Sequence, residues 1–342
     1  KVKITEEMAE ERPDLREYVG EELTVIAWLW ARTVKSPNPA YRDVDVPLVR
    51  SFWLSTKKGR EAYIETIIEG NDYHFNVKIG MPSNSNLIDS GTKAGGRGAN
   101  FRCIFSETPI DGGYIKREGQ AGRMGARLMA IVSEGRRGRV YTSPTIEMEN
   151  IVKEAQPKWK PLGAVPERLT GGTCYAYGLN EWGSLFTPRQ LVALTTFSDL
   201  VGEARERVKA DAIAAGMPDD GRGLEAGGAG ATAYADAISL YLTFSLDRSA
   251  DFNNTLTGWR PGNEKIMNLY SRQAIPMVWD YGEANILANV VGGFITHINY
   301  QSKCLDFLSQ YAKGYSISQD ACVNKICYHK VISTDPPYYD NI

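Results

Sequence analysis

The chain has 342 residues, 43% hydrophobic and 23% charged, an ordinary globular composition with room for one large domain or roughly two to three smaller ones. A formal net charge of -2 excludes bulk electrostatics as a sign of nucleic-acid binding, so any DNA contact must come from local basic clusters. Five scattered cysteines exclude a disulfide framework and fit a reducing, cytoplasmic compartment; no apolar run approaches the ~20 residues of a membrane span, and no signal-peptide pattern opens the chain.

Residues 1–20 are polar and acidic and predict a short helix closed by Gly20. The β-branched and aromatic run 23–32 (LTVIAWLWAR) predicts a strand, and 47–54, 62–69 and 72–79 predict three more. Turn signals at Lys58-Gly59 and Gly70-Asn71-Asp72 separate them, so together they suggest an antiparallel β-ribbon. The Ser-, Asn- and Gly-rich stretch 82–100 reads as a loop, and a further strand–loop segment reaches Tyr141. Ser143-Pro144 predicts a helix through about Ala155, with Ser as cap and Pro at its first position. An irregular connector, 156–186, precedes the clearest helix: Thr187-Pro188 opens it, Leu191, Leu194, Phe197, Leu200 and Val201 recur at helical spacing, and Gly216 ends it. A Gly-rich turn at 227–230 leads into a second long helix over 232–252. Residues 267–288 read as extended and then irregular, 293–312 as a third helix, and 326–333 (ICYHKVIS) as a strand. These elements divide into an N-terminal helical segment (1–22), a β-rich region (23–142), a mostly helical region (143–290) and a C-terminal part (291–342). The chain starts on Lys1 and stops just after a catalytic-looking loop, which suggests a piece cut at both ends.

That loop is Asp335-Pro336-Pro337-Tyr338, directly after the predicted strand. An exocyclic amino group on a base is a poor nucleophile, because its lone pair is delocalised into the ring. Methylating it requires acceptors that hold both N–H bonds and draw the nitrogen toward tetrahedral geometry. Asp335 can supply one oxygen and the Pro336 carbonyl the other. Tandem prolines stiffen the loop and remove competing N–H donors. Tyr338 can stack on a base rotated out of the duplex. The bland alternative is an acidic turn with two prolines at a strand end.

Arg117, Arg123 and Arg127 with Arg136, Arg137 and Arg139 form the densest basic region. They suit DNA phosphates, which ask only for charge at suitable spacing, or equally a solvated turn. Lys57, Lys58 and Arg60 form a smaller cluster at a hairpin turn. Tyr339, Asp340 and Asn341 either touch the nucleotide or DNA strand, or begin the next element. Gly228-x-Gly230 lacks an apolar strand before it and reads as a helix-entry turn rather than a cofactor loop. Cys304, spaced helically with Ile298 and Phe307, reads as a small core residue, and His329 as structural.

At the Asp-Pro-Pro-Tyr motif and over much of its length the chain resembles the adenine-specific DNA methylases that carry a zinc-ribbon insertion. The similar stretches include 28–35 (WLWARTVK), 47–59 (PLVRSFWLSTKKG), 98–110 (GANFRCIFSETPI), 119–132, 182–208, 227–236, 272–285 (RQAIPMVWDYGEAN) and 334–341 (TDPPYYDN). The resemblance implies an incomplete Rossmann-like α/β fold of the S-adenosylmethionine-dependent methyltransferase class, with an inserted antiparallel β-ribbon and a helical insertion. It implies methyl transfer to the amino group of adenine in DNA by the loop Asp335, Pro336, Pro337 and Tyr338; on this reading the basic residues Arg123, Arg127, Arg136, Arg137 and Arg139, with Tyr339, are the candidates for DNA contact. In the family the cofactor's Gly-rich loop lies upstream of the ribbon, hence outside this chain. The family's zinc-ligand pairs fall on Ser36 and Tyr41 and on Cys103 and Ser106. Of these Cys103 alone keeps a ligating thiol, so no metal is expected and the ribbon should be held by packing of Trp28, Trp30 and Trp53. For Trp279-Asp280 and Glu283-Asn285 two readings stand: contact with cofactor or base, or a core tryptophan with capping neighbours. A restriction-modification or phage-defence setting, with other defence proteins as partners, follows from the resemblance. The rival readings are a non-catalytic DNA-binding module of a split enzyme, and an amino-methyltransferase acting on RNA or cytosine.

Overall fold

β-branched and aromatic residues in alternation drive the first part of the chain into strands. The computed structural model describes residues 1–308 except 96–97, 170–171 and 272–273, and beyond them 320–323, 331 and 333. The expected strand 326–333, apart from Val331 and Ser333, and the loop Asp335–Tyr338 lie outside the described residues, as do 309–312 of the third expected helix. The chain divides into two compact units, Lys1–Gln301 and Ser302–Ile342.

In order, the elements are β1 (Val2–Lys3), α1 (Glu6–Glu11), β2 (Glu22–Leu23), β3 (Val25–Lys35), β4 (Asp45–Leu48), β5 (Trp53–Ser55), β6 (Ala62–Glu69) and β7 (Asp72–Ile79). Then come α2 (Ser85–Ser90), β8 (Phe101–Arg102), β9 (Pro109–Ile110), α3 (Gly112–Gln120), β10 (Gly125–Gly135), β11 (Gly138–Thr142) and α4 (Ile146–Ile151). The two long helices α5 (Pro188–Ala214) and α6 (Ala231–Phe252) are followed by β12 (Trp259–Arg260), β13 (Lys265–Ile266), β14 (Asp280–Ala284) and α7 (Phe294–Leu305). The fold is mixed α/β with several small antiparallel sheets.

The expected ribbon is two sheets. β3 sits at the centre of a five-stranded sheet ordered β11-β10-β3-β14, with β4 also on β3, while β5-β6-β7 form a separate three-stranded sheet. The run 47–54 therefore breaks: its first half pairs with β3 and its second with β6. Between them the Arg50 N–H and guanidinium both turn to the Asp280 carboxylate, at 3.0 Å and 2.8 Å. Two short helices, α2 and α3, occupy stretches expected to be loop or strand; Asp111 caps α3 by accepting from Gly113 N and Tyr114 N. Thr145, not Ser143, caps α4, because the Ser143 hydroxyl is engaged with Val77 N and Asn76. The helix from Thr187 forms as expected, with a reciprocal capping box between Thr187 and Gln190. Cys304 is exposed, which corrects its expected place in a core: α7 buries its N-terminal Thr296 and His297 instead.

β3 is buried on both faces. Ala27, Leu29 and Ala31 join the cluster that contains Ile64, Phe75 and Val77 of the three-stranded sheet. Val25 and Trp30 join the cluster of Ile4, Leu15, Tyr18, Leu128 and Tyr281. Near the end of the strand stands Arg32, 8% exposed. Its guanidinium donates to the Val278 carbonyl (2.9 Å), the Thr255 carbonyl (2.9 Å) and the Thr255 hydroxyl (2.8 Å), and lies over the Tyr281 ring at 5.2 Å. Burial pulls its pKa below the usual arginine value. Replacing Arg32 by Met strands three acceptors in the core. The Arg32→Met variant is expected to lose about 2–4 kcal/mol, read as a lower urea midpoint with an unchanged m-value.

Candidate functional site

Asp335, Pro336, Pro337, Tyr338 and Tyr339 lie outside the described residues, as do Cys327 and His329. The other expected site residues fall in the first unit.

β10 is 11 residues long, which separates Arg123 and Arg127 from the β10–β11 turn by about 30 Å at ~3.3 Å per residue. Both are paired, Arg123 at the surface and Arg127 part-buried. Arg123 pairs with Glu118 at 2.7 Å, and that bond holds the Glu118 carboxyl below its ordinary range. Arg127 stacks over Tyr73 at 4.7 Å and bonds the Glu149 carboxylate at 3.2 Å. At the turn, Arg136 pairs with Glu21 and, at 3.8 Å, with Glu17, and stacks on Tyr18. Arg137 and Arg139 form no ion pair among the described residues. The fold adds to them what the sequence kept apart. The Arg60 guanidinium, from the β5–β6 turn, donates to the Arg137 carbonyl at 2.7 Å and packs over Gly138. Two hairpin turns remote in sequence thus make one tip, where Lys58, Arg60 and Arg137 are exposed and Arg139 half-buried.

Lys57 leaves this tip for Glu264. That carboxylate is 4% exposed, sits at a left-handed φ of 51°, accepts from Lys57 Nζ and takes a 3.0 Å bond from the Tyr141 hydroxyl. Burial raises the Glu264 pKa, but hydrogen bonds from Lys57, Tyr141 and Ser55 outweigh it, and the net shift is downward. A depressed folded-state pKa contributes stability that is present above the unfolded value of about 4.3 and is lost as pH falls through the folded one. Glu264→Gln is expected to unfold at lower denaturant at pH 7, by about 1–3 kcal/mol, with the gap to the parent narrowing below about pH 4.

Of the four positions that the resemblance would assign to zinc ligands, Ser36, Cys103 and Ser106 gather in one compact polar knuckle. Ser36 (4% exposed) donates to the Cys103 thiol (0% exposed) at 3.3 Å. Asn38 N donates to Ser36 Oγ, Asn38 Nδ2 to Thr108 Oγ1, and Ser106 Oγ lies 2.9 Å from Thr108 Oγ1. Tyr41 instead stacks on Phe105, with ring centroids 5.3 Å apart. Burial raises the Cys103 pKa, but bonds from Ser106, Ser36 and the Phe105 and Ser106 amides bring it below the ordinary thiol value. One thiol, two hydroxyls and a stacked phenol do not fit zinc, which wants four nitrogen or sulfur ligands. Among the described residues no three Cys, His, Asp or Glu side chains gather into a ligand set. Dialysis against a chelator is expected to leave the thermal midpoint within about 1 °C, whereas a structural zinc site would lose its fold.

No strand precedes the Gly228-x-Gly230 turn. Gly230 is the N-cap of α6, and a Cβ at Gly228 would lie 2.0 Å from the Arg222 carbonyl, so the turn is closed by the chain itself. Trp279 is 8% exposed and meets Phe101 and Tyr177 edge-on, a core position. Glu283 has a different setting, which the sequence did not reveal. It is 6% exposed and accepts from the Thr187 hydroxyl (3.0 Å) and from Arg189 (2.6 Å), joining β14 to the start of α5. Arg189 in turn covers the Trp30 ring at 4.4 Å. The pairing spans 94 residues, and no local spacing could have disclosed it.

Comparison with protein families, curated proteins and solved structures returned no match. Among the described residues no helix is long and apolar enough to cross a membrane.

Proposed function

We propose that the chain is part of an S-adenosylmethionine-dependent DNA adenine methyltransferase of the Rossmann-like class. The observation that carries this reading is the tetrapeptide Asp335-Pro336-Pro337-Tyr338 at the end of an apolar run. Asp335 and the Pro336 carbonyl hold the two N–H bonds of the amine, and Tyr338 supports the base from its face. S-adenosylmethionine supplies the electrophilic methyl group.

The joined hairpin tip supports a DNA role on independent grounds. Lys58, Arg60, Arg137 and Arg139 concentrate positive charge on a chain whose net charge is slightly negative, and phosphate contacts need little else. Arg123 and Arg127, expected at the same surface, are each also engaged with a carboxylate, Glu118 and Glu149. A restriction-modification or phage-defence setting in the cytoplasm accords with this chemistry.

The test is methylation mapping of DNA from cells carrying the complete polypeptide, with and without Asp335→Ala. Methylated adenine should vanish in the variant; its persistence would overturn the role of Asp335. Methylation found on cytosine or on RNA instead would keep the loop chemistry and change the substrate. If neither protein methylates but both bind DNA, the non-catalytic module is the right reading. In parallel, Arg137→Ala/Arg139→Ala should weaken binding evenly across DNA sequences and reduce the salt slope by about 2.

A further inference from the structure

β6 is the middle strand of its sheet, yet only its first residues have neighbours on both sides. It pairs with β7 from Ala62 to Glu69, but with β5 only at Ala62 and Tyr63. In an antiparallel strand the backbone groups of successive residues point to opposite sides. Ile64 N donates to the Phe52 carbonyl at 2.9 Å, on the β5 side. By that alternation the N–H and C=O groups of Thr66 and Ile68 also point away from β7. Among the described residues nothing bonds to them from that side.

The opposite edge of the same sheet is guarded. On β7 the Tyr73 carbonyl accepts from Arg127 at 3.1 Å and the Val77 carbonyl from Arg12 at 3.2 Å, while Val77 N donates to the Ser143 hydroxyl at 2.9 Å. Side chains that occupy an edge in this way keep other chains off it. β6 has no such cover. Its open stretch lines a groove of about 620 Å³, whose other walls come from α2 and residues 102–104. Ile68 and Leu87, 46% and 58% exposed, give this groove apolar surface, together with the half-buried Tyr63 and Ile104.

Four charged residues line the groove. Glu65 is paired with Lys78 at 3.5 Å and Arg102 with Glu107 at 3.6 Å. Lys93 is exposed and forms no ion pair among the described residues, so the charge left over is positive. An open strand edge calls for a second row of N–H and C=O groups about 4.8 Å away, which an extended peptide supplies.

We propose that this groove docks an extended segment of a partner protein, which adds to β6 as a strand beside Thr66 and Ile68. Alternate apolar side chains of the segment lie against Ile68, Leu87 and Ile104, and a carboxylate meets Lys93. Docking serves no step of methyl transfer, so either reading can fail without the other.

The experiment is an array of capped heptapeptides with valine at alternate positions and threonine between them, one threonine being replaced by glutamate or by lysine. The full chain is the probe, and the tightest peptides are then titrated by fluorescence polarisation. Glutamate peptides should bind about tenfold more tightly than lysine peptides, and Lys93→Glu should reverse that order. Single N-methylation along the best peptide should weaken binding by about tenfold at every second amide and leave the others near the parent, the mark of main-chain pairing on one side. Ile68→Pro removes an N–H that the pairing with β7 does not use. It should weaken binding by a similar factor while the circular dichroism spectrum and thermal midpoint stay near those of the parent. Should that variant unfold, Lys93→Glu at the surface and the N-methyl series still decide. The proposal is overturned if no heptapeptide binds saturably at millimolar concentration, or if N-methylation shows no alternation. It is also overturned if sedimentation velocity finds the parent dimeric and Ile68→Pro monomeric, because a second copy then occupies the edge.

Discussion

Burial of β3 on both faces is the constraint on which the first unit depends. A strand covered on both sides must satisfy every backbone group through its neighbours, and β3 does so by pairing with β4, β10 and β14. These strands come from widely separated parts of the sequence. The charge of Arg32 is enclosed where they meet, and it is met by carbonyls and a hydroxyl rather than a carboxylate. A guanidinium retains its proton under almost any burial, so the acceptors at Thr255 and Val278 must stay where they are. The loop after α6 and the approach to β14 are thereby tied to the sheet.

Ion pairing also decides what the surface can do. With 39 basic and 41 acidic residues the chain has little net charge to spend on a polyanion. Three of the six arginines of the basic stretch are matched within the fold: Arg123 by Glu118, Arg127 by Glu149 and Asp72, Arg136 by Glu21 and Glu17. Arg137 and Arg139 lie at a turn that a single bond from Arg60 to the Arg137 carbonyl holds beside the β5–β6 turn. A balanced composition is compatible with a local positive field when partners are distributed this unevenly.

The parts of the fold that were legible in the sequence are those fixed by short-range physics. β7 alternates strictly, β6 is rich in β-branched residues, the Gly70-Asn71-Asp72 turn joins them, and their ends fell where the pattern put them. The start of α5 follows from its Thr187–Gln190 capping box. The misjudged parts were decided at a distance. The run 47–54 looks like one strand until Asp280 takes hold of Arg50, 230 residues away. Helix α3 was hidden for a local reason instead: it begins on two glycines of poor helix propensity, and Asp111 compensates by capping the Gly113 and Tyr114 amides. Of the candidate site, three of the four positions that the resemblance would assign to zinc, Ser36, Cys103 and Ser106, share one knuckle, while Tyr41 stacks on Phe105. The Glu283–Arg189–Trp30 stack was invisible, because each member reads locally as an ordinary strand or helix residue.

The threading of the five-stranded sheet carries a consequence for how the polypeptide could be divided. β3 takes partners from strands on both sides of the long connector between β11 and α5, and α5 itself is fastened back to β14 through Glu283. A protease cut inside that connector would break the covalent chain without releasing either portion, since each holds the hydrogen-bonding edge the other requires. The two portions made as separate polypeptides would be expected to find one another by strand addition, as complementing fragments do.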